Sequence, residues 1–129
     1  MSKKVLMIDD DMDFIESVAN LLEAKGYNVR WAPNGKEGVK KAKANPPDLI
    51  LLDVMMTTKD EGFNVARELK EVEDLADTPV IMVSGIRKEM NLPFSFEPDT
   101  TWLPIKQFLE KPVKPNQLLE AVAEHIKKS

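Results

Sequence analysis

Acidic residues follow two short apolar runs of the sequence, at the point where each run stops. Residues 5–8 are apolar and lead into Asp9 and Asp10, and Leu49–Leu52 lead into Asp53. Four consecutive apolar residues are too few for a helix and are typical of a strand covered on both faces. Carboxylates gathered at neighbouring strand ends repel one another unless a cation compensates them. A cluster that offers only oxygen ligands suits Mg²⁺.

Two further strand-like runs end on a hydroxyl and on an amine. Residues 80–83 are followed by Ser84, and residues 106–110 are followed by Lys111. A hydroxyl supplies a hydrogen-bond donor, and a lysine supplies a mobile positive charge that can pair with a phosphoryl oxygen. Taken singly, Ser84 reads as a helix N-cap and Lys111 as a surface lysine. With a carboxylate nucleophile and a metal ion, they are the groups needed to form an aspartyl phosphate.

Strand-like and helix-like patterns alternate along most of the chain. In the first helical stretch apolar residues recur at helical spacing, with Asp11 or Asp13 as the N-cap and Gly26 as the stop. Alternating strands and helices form parallel sheets with right-handed crossovers, so the carboxyl ends of the strands meet at one edge. The predicted strands are residues 5–8, 27–31, 49–52, 80–83 and 106–110. The further predicted helices are a short one that follows a turn at residues 33–35 and runs to about residue 44, one over residues 61–72 and one that opens at Pro115.

Length and composition fit one domain over residues 1–129, without an output domain. The chain is 43% hydrophobic and 31% charged, and its apolar runs are far too short to span a membrane. It has no cysteine and no secretory signal, so we expect a cytoplasmic protein. A net charge of −4 without a basic cluster argues against contact with nucleic acid. The single histidine, His125, reads as an ordinary surface residue.

With these motifs in place, the sequence resembles the receiver domain of two-component response regulators over essentially the whole chain. The resemblance implies an α/β fold of the flavodoxin-like, doubly wound (βα)5 type. Its parallel sheet would have five strands in the order 2-1-3-4-5. Four motifs carry the resemblance: VLMIDD at residues 5–10, DLILLD at 48–53, VIMVSG at 80–85 and EKPV at 110–113.

The resemblance also implies the chemistry of the site. Asp53 would accept a phosphoryl group from a phosphohistidine on a sensor histidine kinase or a histidine phosphotransfer protein. Asp9 and Asp10 would hold Mg²⁺ together with Asp53 and the backbone carbonyl of Met55. We expect a phosphoacceptor rather than an enzyme. Self-hydrolysis should be slow, because Met55 and Ile86 are both apolar at positions that flank the path of the attacking water in this family.

A conformational switch is the second implication of the resemblance. Lys111 would pair with the phosphoryl group, its bond to Pro112 being cis as in the family, Ser84 would turn inward to hydrogen-bond it, and Phe108 would follow as the switch aromatic. The change would control binding of a downstream protein. The expected output face consists of the segment 86–105, the last strand and the last helix. We also expect the apolar residues of the proline-rich segment 86–105 to form a partner or homodimer surface within the face at residues 86–126, because that segment is too irregular to turn one apolar face inward.

Three features depart from the usual family pattern. The loop at residues 57–62 is one residue longer and lacks the common proline and Asp-Gly pair, which makes the position of Met55 less certain. Gly85 replaces a frequent alanine and leaves more room beside the phosphoryl group. The segment 86–105 is longer and richer in proline than the fourth helix of the family.

Three alternatives follow from the same residues. A receiver-like interaction module that no longer takes phosphate would explain the altered loop after Asp53. An aspartate-nucleophile phosphatase of the haloacid-dehalogenase kind needs a second acid two residues after the nucleophile, where this chain has Met55. A flavin-binding domain of the same topology needs a phosphate-binding loop after the first strand, where the acids at residues 9–11 would repel the phosphate.

Overall fold

The fold was examined in a computed structural model, which describes residues 3–53, 68–75, 77–84, 107–110 and 113–126. The loop at residues 57–62, the segment 86–105 and Gly85 lie outside the described residues. The same is true of Met55, Lys111 and Pro112.

Five parallel strands form one sheet in the order β2-β1-β3-β4-β5. Its two central neighbours, β1 and β3, are aligned so that Val5 lies beside Leu49 and Ile8 beside Leu52. The predicted doubly wound order is therefore confirmed. The strands are β1 (Lys4–Ile8), β2 (Asn28–Ala32), β3 (Leu49–Leu52), β4 (Val80–Ser84) and β5 (Gln107–Glu110).

The helices begin and end where the local sequence directs them. Helix α1 (Met12–Ala24) is capped by the Asp11 side chain, which accepts the backbone N–H of Phe14 at 3.2 Å. It ends in a Schellman motif in which Gly26 has φ 93° and the N–H of Tyr27 donates to the carbonyl of Leu22. Helix α2 (Gly35–Ala44) begins after Asn34, whose side chain accepts the N–H of Glu37.

The final helix also begins where its local sequence predicts. The final helix, Pro115–His125, opens with proline in its first turn, as predicted. Of the predicted helix at 61–72, the structure describes residues 68–71 as helical, and a 3-10 turn at Glu73–Leu75 follows. Leu69 of this stretch is buried.

The sheet is covered on both faces, as its uniformly apolar strands predicted. On one face Val5, Met7, Leu49 and Leu51 pack with residues of α1 and the final helix. On the other face α2 comes so close to β1 that a Cβ on Gly38 would lie within 3.0 Å of side-chain carbons of Ile8. Each such aliphatic side chain, fully buried, stabilises the fold by about 1.5–3 kcal/mol. This double packing fixes the strand ends that carry the acidic residues.

None of the helices in the described ranges has the length and apolar character that crossing a bilayer requires.

Candidate metal and phosphoryl site

Asp9 and Asp53 are adjacent because they follow paired residues of neighbouring strands. The backbone N–H of Asp53 donates to the carbonyl of Ile8 at 2.9 Å, which extends the β1–β3 ladder by one bond. On the other side of β1, the N–H of Asp9 donates to the carbonyl of Ala32 at 3.0 Å. Both acids are thus anchored through their backbone at the carboxyl edge of the sheet.

Three carboxylates meet at this edge. One oxygen each from Asp9, Asp10 and Asp53 lies within 4.8 Å of the others. The side chains of Asp9 and Asp53 are 2% and 5% exposed, whereas Asp10 is exposed. From the two strand ends, the sequence predicted that these three acids lie close together. The structure confirms this arrangement.

The first turn of α1 holds the Asp9 side chain in place. Asp9 Oδ1 accepts the backbone N–H of Asp11 at 2.9 Å. Asp11 in turn caps α1, so the same residue fixes both the helix and the carboxylate beside it. The sequence predicted Asp11 as a candidate N-cap but not as a donor to Asp9. Its position two residues after the first acid, directly before a helix, was the signal for this second contact.

The donor set fits a hard divalent cation. Every ligand atom is a carboxylate oxygen, and the chain contains no cysteine that would favour a softer metal. Like charges this close raise the free energy of the metal-free cluster, and a cation between them removes that cost. The exposed side chain of Asp10 leaves a route by which an ion and its waters can enter.

The other predicted site residues are placed only in part. Ser84 is the last residue of β4, beside Glu110, so its backbone lies at the same edge of the sheet as the acids. Phe108 lies in β5 beside Met82. Lys111 and the carbonyl of Met55 are outside the described residues, so their roles stay predictions. His125, in the final helix, is half-buried rather than fully solvent-facing.

Fold and site together define a receiver-type domain, and the sequence comparison agrees. A model of the response regulator receiver domain matches residues 5–123. The chain belongs to the response-regulator receiver family, as the motifs predicted.

Curated relatives of the chain are longer proteins. The alkaline phosphatase synthesis transcriptional regulatory protein PhoP of Bacillus subtilis is 30% identical over 129 residues, which are 100% of this chain and 50% of that protein. The transcriptional regulatory protein ResD of the same organism is 32% identical over 116 residues, 90% of this chain and 45% of that protein. The chain therefore spans about half the length of these two relatives.

Solved structures share the fold over almost the whole chain. The chemotaxis protein CheY4 of Vibrio cholerae superposes with a TM-score of 0.81 and is 25% identical, covering 98% of this chain and 100% of its own. A CheY-like receiver domain protein from Methanospirillum hungatei gives a TM-score of 0.78 at 25% identity, covering 96% of this chain and 93% of that chain.

Proposed function

We propose that this chain is a phosphoryl-accepting receiver, with Asp53 as the acceptor. The observation that supports this most is the position of Asp53, nearly buried at the end of β3 and within 4.8 Å of two further carboxylates. An acid needed only to cap or turn the chain has no reason to lie in such a cluster. The donor would be a phosphohistidine on a sensor histidine kinase or a histidine phosphotransfer protein.

In the proposed reaction, a carboxylate oxygen of Asp53 attacks the phosphorus of the phosphohistidine. The new P–O bond forms as the P–N bond breaks, and the imidazole leaves with the electron pair and takes up a proton. Asp9, Asp10, Asp53 and the carbonyl of Met55 would hold Mg²⁺, which supplies positive charge next to the phosphoryl oxygens. The backbone bonds to Ile8 and Ala32 hold the strand ends still, which limits the reorganisation needed for the transfer.

The signal would then pass through the carboxyl edge to the output face. Lys111 pairs with the phosphoryl group, Ser84 turns toward it, and Phe108 follows. A free-energy shift of ~1 to 3 kcal/mol between the two conformers changes their ratio ~5- to 150-fold. The face at residues 86–126 would present this change to a downstream protein or to a second copy of the chain.

The proposed partners are proteins of the cytoplasm. A net charge of −4 and the lack of a basic cluster favour a protein target over nucleic acid. One relative is named DNA-binding dual master transcriptional regulator RpaA, of Synechocystis, but the matched region is 34% of that protein. Direct DNA binding by this chain can be checked by a mobility-shift assay, in which we expect no complex.

Mass spectrometry after treatment with acetyl phosphate and Mg²⁺ tests the phosphoacceptor. We expect one phosphoryl adduct, mapped to Asp53, that is lost in Asp53→Asn and when Mg²⁺ is chelated. Asp13→Asn, an exposed acid in the first turn of α1, is the matched control and should keep the adduct. Phosphoramidate, which carries a P–N bond like that of phosphohistidine, tests the donor class.

The same experiment separates the alternatives. Failure of the wild-type chain to form any adduct would favour an interaction module that no longer takes phosphate. Continuous turnover of the phosphodonor would favour a phosphatase. An adduct that persists in Asp53→Asn would show that another residue is the acceptor.

A further inference from the structure

Two large apolar side chains of the described residues are exposed, and both line the same groove. Met12 is 47% exposed and Trp31 is 40% exposed. The groove runs between α1 and the edge strand β2 and encloses about 350 Å³. This α1–β2 groove is lined by Met12, Ile15, Glu16, Ala19, Asn20, Glu23, Val29 and Trp31.

The helical wall of the groove is one continuous face of α1. Its lining residues run from Met12 to Glu23 at the three- and four-residue spacing that places side chains on one side of a helix. The face is about 16 Å long, because the helix rises 1.5 Å per residue. Ala19, near the middle, has a short side chain, which leaves room there for a side chain of a bound segment. Such a face accommodates about three turns of a partner helix or a short extended segment.

The aromatic wall is held in position by α2. The ammonium group of Lys41 lies 5.3 Å from the centre of the Trp31 ring and also donates a hydrogen bond to the Trp31 carbonyl. A cation above the ring attracts it and restricts its rotation. This contact lowers the cost of ordering the exposed Trp31 side chain on binding, which favours its use as a contact surface.

The groove carries negative charge and no basic residue among its lining. Glu16 and Glu23 are exposed on the helical wall. Within α1, from Met12 to Ala24, there are three acids and neither lysine nor arginine. A second copy of the chain is therefore a poor occupant, because two-fold pairing through this surface would bring the same acids together.

We infer that the α1–β2 groove is a docking surface for a basic segment of a partner protein that inserts a large apolar side chain between Met12 and Trp31. Charge complementarity selects the basic segment, and the exposed apolar pair selects the inserted side chain. The groove opens beside the carboxylate cluster for two reasons. Helix α1 begins two residues after Asp10, and Trp31 directly precedes Ala32, whose carbonyl accepts the backbone N–H of Asp9. Binding there does not depend on whether Asp53 takes phosphate.

A peptide selection followed by fluorescence tests this surface. Random peptides of about 12 residues, long enough for three helical turns, are displayed and selected against the chain. The enriched peptides are then titrated into the Trp102→Phe variant. The chain has two tryptophans, so this variant leaves Trp31 as the reporter. We expect enriched peptides to share basic residues and a large apolar residue, and to change the Trp31 emission on binding.

Four variants locate the site. Trp31→Ala, read by calorimetry, should weaken binding about 30-fold, as expected for an aromatic anchor. Glu16→Lys/Glu23→Lys should weaken binding and abolish its salt dependence. Glu68→Lys/Glu71→Lys makes the same charge change at exposed positions of the helical stretch 68–71, outside both the groove and the 86–126 face, and should leave binding unchanged. Asp53→Asn should also bind normally, which separates this surface from the phosphoacceptor.

The proposal is overturned by any of several results. One is a selection that yields no binder, or only binders that lack basic residues. Another is binding that survives both groove variants. A third is a dimer, detected by light scattering, that Trp31→Ala dissociates, since the occupant would then be a second copy.

Discussion

Asp48 and Asp53 stand at the two ends of the same strand, β3, and their carboxylates have different surroundings. At the amino end, Asp48 Oδ2 accepts the backbone N–H of Lys4 at 2.7 Å, and the N–H of Asp48 donates to the Lys4 carbonyl at 2.8 Å. The Lys4 ammonium donates to Asn45 Oδ1 close by. At the carboxyl end, Asp53 lies within 4.8 Å of two other carboxylates.

The contrast shows what each end of the sheet contributes. Asp48 joins β3 to the start of β1 by reciprocal hydrogen bonds, so its carboxylate stabilises the fold as a hydrogen-bond acceptor. Asp53 stands in a cluster of like charge, and a cation bound there would offset the repulsion between the carboxylates. Residue type alone does not separate the two acids. Their positions along a parallel sheet do, since ligands bind at the carboxyl edge.

The first prediction concerns the packing beneath the carboxyl edge and has the largest expected effect. In an exposed helix interior, Gly→Ala stabilises by about 1 kcal/mol. At Gly38 the added methyl would press on Ile8, the residue before Asp9, so Gly38→Ala should lower the free energy of unfolding by about 1–3 kcal/mol. Urea unfolding measures this, with Lys40→Ala, on the exposed side of α2, as the control. A Gly38→Ala chain as stable as wild type would show that α2 does not press on β1.

The second prediction tests the amino end. Asp48→Ala removes the acceptor of the partly buried Lys4 N–H and should lower the free energy of unfolding by about 1–2 kcal/mol. Asp48→Asn keeps an acceptor oxygen and should lose less. Equal losses in the two variants would mean that the charge of Asp48, and not its hydrogen bond, stabilises this end.

The third prediction tests the carboxyl end, where removing an acid should raise the free energy of unfolding instead of lowering it. Without divalent cations, Asp53→Asn should raise the free energy of unfolding by about 1 kcal/mol, because it removes one of three neighbouring negative charges. High salt should shrink the gain by screening the repulsion. A loss of stability in Asp53→Asn, measured in chelator, would place Asp53 with Asp48 as an acid that stabilises the fold.

Much of the fold around these two acids could be predicted from the sequence. The apolar runs at β1, β3 and β4 predicted the buried strands, and a parallel sheet necessarily brings the carboxyl ends of these strands together. Gly26 marked the end of α1 correctly because its conformational preference is local. The second strand proved to be Asn28–Ala32 rather than residues 27–31, a shift of one residue.

Other features were not predictable because they depend on contacts between distant elements. The exposure of Trp31 follows from the position of β2 at the edge of the sheet, and the family resemblance gave that order but not which side chain would remain uncovered. The stacking of Lys41 on Trp31 joins α2 to β2 and leaves no periodic signal. The bond from the Asp11 N–H to Asp9 depends on the angle at which the chain enters α1.

A magnesium titration of thermal unfolding tests the central claim most directly. If the carboxylate cluster holds the ion, Mg²⁺ at 100 times its dissociation constant should stabilise the wild-type chain by about 2.7 kcal/mol. The same titration of Asp9→Asn/Asp53→Asn should give little change, and Asp48→Asn should respond like wild type. A wild-type chain that Mg²⁺ leaves unchanged, or an equal response in Asp9→Asn/Asp53→Asn, would contradict the account.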